Sequence, residues 1–174
     1  MPARNMPRRR PNSIKGRFAF MHAIAHIELN AIDLAWDIIA RFRNSDLPLA
    51  FYDDWVNVTN DEAKHFSMLT NYLNQNNACY GDFPAHDSLW ESAEKTSDDI
   101  LSRLAIVPLV LEARGLDTTP GAINKLSATG DTKAARILKI IGEEEIFHVA
   151  TGVRWFYHIC KSRELKPAST FQLL

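Results

Sequence analysis

Asp61-Glu62-Ala63-Lys64-His65 and Glu144-Glu145-Ile146-Phe147-His148 share one pattern, an acid followed by Glu-x-x-His. A glutamate and a histidine three apart on a helix point the same way, so each pair can hold one metal ion from one face. Two further glutamates stand at matching distances: Glu28 lies 34 positions before Glu62, and Glu112 lies 33 before Glu145. The order Glu, ExxH, Glu, ExxH is the ligand arithmetic of a dinuclear metal site inside a four-helix bundle. The candidate metal ligands are therefore Glu28, Glu62, His65, Glu112, Glu145 and His148.

Hydrophobic periodicity supports helices around each of these residues. From about Gly16 to Phe42, Ile24, Ile27, Ala31, Ile32, Ala35 and Ile39 recur at helical spacing, with Glu28 inside the stripe. A carboxylate on a buried helix face is costly unless ion pairing, protonation or a metal compensates it. Arg43 to Pro48 breaks this helix, and a second runs from about Leu49 to Gln75. The midpoint of Glu28 and Glu62 falls on Ser45 in the connecting loop, so the hairpin sets both carboxylates at one height.

Asn77 to Ser88 begins a long crossover between the second and third long helices. The third is expected over about Leu89 to Arg114, interrupted near Thr96 to Asp98, kinked at Pro108 and ended by Gly115 and the Asp117 to Gly121 run. A short extra helix over Ala122 to Ser127 should follow, then a last long helix from Thr132 to Lys161 and a loop after Pro167. On this reading Glu112 sits close to a helix end, and the connection to Glu145 climbs about 20 Å along the bundle. An access path near Glu112 is the place to look for substrate.

The chain has 174 residues, 46% of them hydrophobic, which is enough for one all-α domain. We assign residues 14–166 to it, with residues 1–13 as a basic N-terminal arm and 167–174 as a C-terminal tail. Arg8, Arg9 and Arg10 make the arm either a solvated tail or a segment that touches RNA or a partner subunit. A net charge of -1 provides no global attraction to nucleic acid or membrane. Two cysteines, Cys79 and Cys160, fit a reducing compartment, and no signal or membrane-spanning stretch is present, so a soluble, cytoplasmic protein is expected.

Carboxylates with imidazoles suit iron or manganese better than zinc or copper(I), and four carboxylates balance two divalent ions. Two iron ions are expected, with Fe/Mn or Mn as alternatives. Asp61 and Glu144 are placed to accept the outer ring proton of a ligand histidine, across the bundle or four residues on in their own helix. His22 and His26 point away from Glu28 and should join a hydrogen-bonded network, with Asp33 as a candidate partner. Tyr52, Tyr72, Trp155, Phe66, Phe147 and Phe156 read as core; Tyr72, seven residues from His65, is the tentative redox-active candidate.

These residues resemble the ferritin-like di-iron carboxylate superfamily, which includes ferritins, rubrerythrins, ribonucleotide reductase small subunits and bacterial multicomponent monooxygenases. More narrowly, His22 to Leu34, Tyr80 to Asp87, Val107 to Asp117 and His148 to Phe156 are similar to a bacterial family of ferritin-like proteins, from about Pro11 onward. The resemblance implies a ferritin-like four-helix bundle and carries the superfamily's metal ligands onto Glu28, Glu62, His65, Glu112, Glu145 and His148. It departs at Glu144, where relatives often have Asp. By analogy with ferritin-like tRNA-hydroxylating enzymes, the basic arm would have an RNA to meet.

The function expected is an O2-activating oxidase or hydroxylase that takes electrons from an external donor, since the chain has no flavin or iron-sulfur motif. A ferroxidase that handles iron, or a binding protein that metal merely stabilises, are the alternatives. A monomer or dimer is expected rather than a cage.

Overall fold

The computed structural model describes residues 5, 7 and 13–174; Arg8, Arg9 and Arg10, on which the reading of the basic arm rests, lie outside them. The described chain is all-helical. Helices α1 (Ile14–Arg41) and α2 (Leu49–Gln75) form a hairpin, α3 (Ser88–Lys95) and α4 (Ile100–Ile106) follow, and a π-helical segment (Val107–Glu112) leads without a break into α5 (Ala113–Ala128). The chain then turns into α6 (Thr132–Ser162) and ends in α7 (Pro167–Leu173).

Local chemistry sets the boundaries. Ser13 accepts from the Gly16 amide at the start of α1, Asp99 from Ser102 at the start of α4, and Asp131 from Ala134 at the start of α6. At the end of α5, Gly130 has a φ of 79°, and the Asp131 amide reaches back to the Leu126 carbonyl at 3.2 Å. That left-handed cap reverses the chain within three residues.

Three expectations about the second half are corrected here. Gly115 and Pro120 do not end a helix: α5 runs through both to Ala128, so there is no separate short helix before α6. Gly115 keeps helical backbone, and the Thr118 and Thr119 hydroxyls bond back to the carbonyls of Arg114 and Gly115, while Ala122, Ile123 and Leu126 continue the apolar face that packs beside α6. Packing of that face overrides the two local breakers. The climbing connection disappears with it, because Glu112 lies 18 residues before Gly130 and Glu145 15 after, close to level across the turn. The third correction is α7, a helix where a loop was expected; it begins at Pro167, whose fixed φ suits a first turn, and Phe171 packs edge-on against Phe156 at 6.0 Å.

Pro108 produces a wider turn rather than a simple kink. Its ring has no amide for the Leu104 carbonyl, and the backbone accommodates the loss as a π-helical stretch. The outward bulge is received by Gly152 on α6: a Cβ there would stand 2.5 Å from Pro108 Cβ and 2.9 Å from Leu109 Cδ1. Bulge and glycine together fix the stretch that ends on Glu112.

Most of the buried residues fall into two apolar layers with a polar layer between them, and Leu34, Ala93 and Val107 form a smaller third cluster. At one end Ile38, Phe51, Trp55, Leu104, Trp155 and Phe156 pack together; at the other, Met21, Leu69, Leu73, Leu126, Leu138 and Ile141. Glu28 on α1, Glu62 and His65 on α2, and Glu145 and His148 on α6 lie between these layers in sequence and in space. The buried stripe of α1 is Met21, Ala25, Glu28, Ala35 and Ile38, so Ile24, Ile27, Ala31, Ile32 and Ile39 form its half-buried or exposed flanks rather than its center line.

The return from α2 to α4 crosses from the second apolar layer to the first. Arg103, fully buried, anchors its landing: the guanidinium bonds Asp37 on α1, the Thr96 hydroxyl at 2.8 Å and the Ala93 carbonyl at 2.6 Å. Sequence reading passed over this arginine, since nothing in its spacing marks it as buried.

Gly152→Ala should lower the unfolding free energy by about 1–3 kcal/mol, the usual cost of overpacking a filled contact. Urea denaturation measures it; a variant as stable as the parent would show that the bulge yields freely.

Candidate metal centre

The middle layer gathers four carboxylates and two imidazoles, with Glu28, Glu62, His65 and His148 buried and Glu112 and Glu145 half-buried. Glu28, Glu62, His65 and Glu145 each offer a ligand atom within 4.8 Å of the others, a group that could hold a metal ion. His148 joins them, its Nδ1 3.0 Å from Glu62 Oε1 and 3.3 Å from Glu145 Oε2. Glu112 lines the same cavity as Glu28, Glu62 and Glu145, and its Oε2 is buried without a hydrogen-bond partner.

The two histidines are arranged alike. His65 turns Nδ1 toward Glu28 at 3.1 Å and Glu62 at 3.5 Å, and His148 turns Nδ1 toward Glu62 and Glu145. Both Nε2 atoms face outward, and their acids are exchanged between helices. His65 Nε2 lies 2.7 Å from Glu144 on α6, while His148 Nε2 lies 3.6 Å from Asp61 on α2. Of the two geometries open in the sequence, the structure has the crossed one. Lys64 closes this outer shell with Nζ 2.7 Å from Glu144 and 3.5 Å from Asp61. The i,i+3 spacing of Asp61 and Lys64 could have revealed its role in advance.

The electrostatics show what the cluster lacks. Burial, reinforced by the charges of Glu62 and Glu145, pushes the Glu28 carboxyl well above the usual range despite the nearby His65. Glu112 is pushed up in the same way by burial and by Glu145 and Glu62, and burial raises Glu145 as well. Burial would also raise Glu62, but His148 and His65 outweigh it and hold this carboxyl down to about 2. The histidines pay the return: burial disfavours their charge, yet the surrounding carboxylates lift His65 to about 10 and His148 to about 11. Without a metal, protons therefore supply the positive charge that the layer requires.

A cation fits this set on its own chemistry. Glu62 Oε2, Glu112 Oε2 and both ring nitrogens of His148 are buried with no hydrogen-bond partner, and buried polar atoms of this kind are rare unless something else satisfies them.

The other sequence candidates have different places. Tyr72 donates to Asp131 at 2.5 Å, with Arg17 3.4 Å from the same carboxylate. Asp131 caps α6 about 20 Å in rise from Glu145, so this hydroxyl is occupied at the end of the molecule. His22 and His26 bind the crossover instead of Asp33, which is exposed. His22 Nε2 accepts from the Gly81 amide at 2.9 Å, and Tyr80 donates to His26 Nδ1 at 2.6 Å, which leaves His26 Nε2–H to donate to the His86 carbonyl at 3.1 Å. His86, without an assigned partner from sequence, shares a hydrogen bond with Ser88 at 2.7 Å.

Comparison with known proteins gives the chain its family. It matches, over residues 1–174, the family described as "Protein of unknown function (DUF455)", and it belongs to that family. It is also 43% identical over 173 residues to an uncharacterized protein of Haemophilus influenzae. The match covers 97% of this chain but only 60% of that relative's length. No solved structure matches it. Among the described residues, no helix is long and apolar enough to cross a membrane.

Two measurements follow. The histidines' raised values mean that their contribution to the stability of the metal-free protein is complete below 6.5 and lost as pH rises through about 10 and 11. Denaturation of chelated protein should show this alkaline loss, and a His65→Gln/His148→Gln variant should show less of it; equal pH profiles would contradict the charge assignment. Tyr72→Phe should cost about 1 kcal/mol through the lost bond to Asp131 while metal content stays unchanged. Reduced metal content in a stably folded Tyr72→Phe protein would contradict that placement.

Proposed function

We propose that the protein is a non-haem dinuclear iron carboxylate oxidase or hydroxylase, with the helices packed as a ferritin-like bundle. The observation that carries this reading is the buried layer of four carboxylates and two histidines, whose orphaned atoms and opposed charges call for cations. Glu28, Glu62, His65, Glu112, Glu145 and His148 would hold two ions, and the formal charge of four carboxylates matches that of two divalent metals. When bound, a pair of ferrous ions supplies reducing equivalents and open coordination for O2, with one oxygen atom going to substrate and the other to water at the expense of two electrons from an external donor.

The chain's own groups have separable tasks in this scheme. Glu144 accepts the Nε2 proton of His65, which fixes that tautomer with Nδ1 free for metal, while Asp61 faces His148 Nε2 at 3.6 Å as its charge partner. Lys64 holds Glu144 ionised, since its hydrogen bond, together with His65, overcomes the effect of burial and keeps that carboxyl below the ordinary range. The apolar layers above and below exclude water from the carboxylates. Because Pro108 and Gly152 set the π-helical stretch, they position Glu112 on the wall of the cavity.

Metal analysis of protein purified without added metal, followed by anaerobic loading with ferrous iron and mixing with O2, tests this reading. About two irons per chain and a transient optical absorption on oxygenation are expected, and Glu62→Ala and Glu145→Ala should abolish both. Zinc retained in preference to iron, or iron-loaded protein that consumes no O2, would overturn it.

A further inference from the structure

A cavity of about 560 Å³ separates α1 from α5 and reaches Glu28, Glu62, Glu112 and Glu145 at its floor. Its size falls in the range of sites for small organic ligands. Between the carboxylates and the end of α5, its wall is made by Phe20 and Ile24 of α1, Ala122 of α5, and Leu138 and Ile141 of α6. Thr118 and Thr119 also line it, but their hydroxyls donate to the carbonyls of Arg114 and Gly115, so the wall offers a ligand few free donors. The wall therefore selects an apolar body.

Arg114 stands beside the carboxylate layer, two residues from Glu112, and Lys125 stands on the rim toward the far end of α5. Arg114 and Lys125 line the cavity, are exposed, and have no ion-pair partner among the described residues. Eleven residues apart, they lie about 20° from one another around α5, on the same face. An anionic group at the rim would be attracted to Lys125 and repelled by the carboxylate layer at the floor, so charge orients such a ligand with its head outward.

We propose that the cavity binds a single-chain anionic amphiphile, with its carboxylate at Lys125 and its chain running inward to Glu28 and Glu112. Lys125 is 13 residues from Glu112, a rise of about 20 Å along α5. An extended chain advances about 1.2 Å per bond, so a 14-carbon chain spans about 16 Å, and the reach of the Lys125 side chain covers the rest. The assignment deepens the oxidase reading by naming its substrate class, and it rests on that reading only for what happens at the inner end of the chain.

Isothermal titration of the full-length protein with myristate, kept below its micelle concentration, tests the binding directly. One saturable site is expected, with 1-tetradecanol and Lys125→Glu each weakening it roughly tenfold and Lys125→Arg restoring it. Gly115→Leu supplies the second arm. Gly115 lines the cavity, and a Cβ there meets nothing within 4 Å, so the variant should fold with an unchanged melting curve and lose myristate binding. The absence of a saturable site, or myristate binding unchanged in both Lys125→Glu and folded Gly115→Leu, would overturn the proposal. Neither metal nor O2 enters these titrations. Failure of the iron experiment therefore leaves their outcome intact, and their failure leaves the metal reading standing.

Discussion

Four carboxylates placed between two apolar layers dominate the physics of this protein. Each would cost several kcal/mol to bury alone, and together they repel one another at low dielectric. The surrounding carboxylates favour the protonated forms of His65 and His148, whose charge offsets part of their own. A layer that needs positive charge from outside its own side chains is poorly explained as a device for stability, because an apolar layer of the same volume would serve better. It is well explained as a place to hold metal.

Everything around the layer keeps these groups in register. The α1–α2 hairpin levels Glu28 with Glu62, and the tight turn at Gly130 levels Glu112 with Glu145. Antiparallel α2 and α6 then exchange their outer acids: Glu144 of α6 hydrogen-bonds His65 of α2, and Asp61 of α2 faces His148 of α6. This coupling makes the two Glu-x-x-His segments one unit rather than two separate ligand pairs. The π-helical stretch is the exception to regular geometry, and it occurs where the cavity opens beside Glu112. Irregular helix turns of this type concentrate at functional sites because they re-aim side chains that a regular helix would point elsewhere.

Membership in the DUF455 family and likeness to the Haemophilus influenzae protein place the chain among relatives without supplying a reaction, so its chemistry has to be argued from its own residues. The chain spans 60% of that relative's length.

Sequence by itself determined the helices that carry chemistry. The expected span of α2 matches its observed span, α1 and α6 differ by one or two residues at their ends, and the break before α4 falls where Thr96 to Asp98 indicated. These were legible because ligand spacing and amphipathic period are local, repeated signals. The course of residues 113–128 was not legible, because Gly115 and Pro120 are genuine local breakers whose cost is met by burial against α6, a partner distant in sequence. The same reason hid the crossed pairing of Asp61 and Glu144, the anchoring of Arg103, the occupation of Tyr72 by Asp131 and the attachment of His22 and His26 to the crossover. Spacing along one helix says which residues share a face; only the packing of helices against each other decides what that face meets.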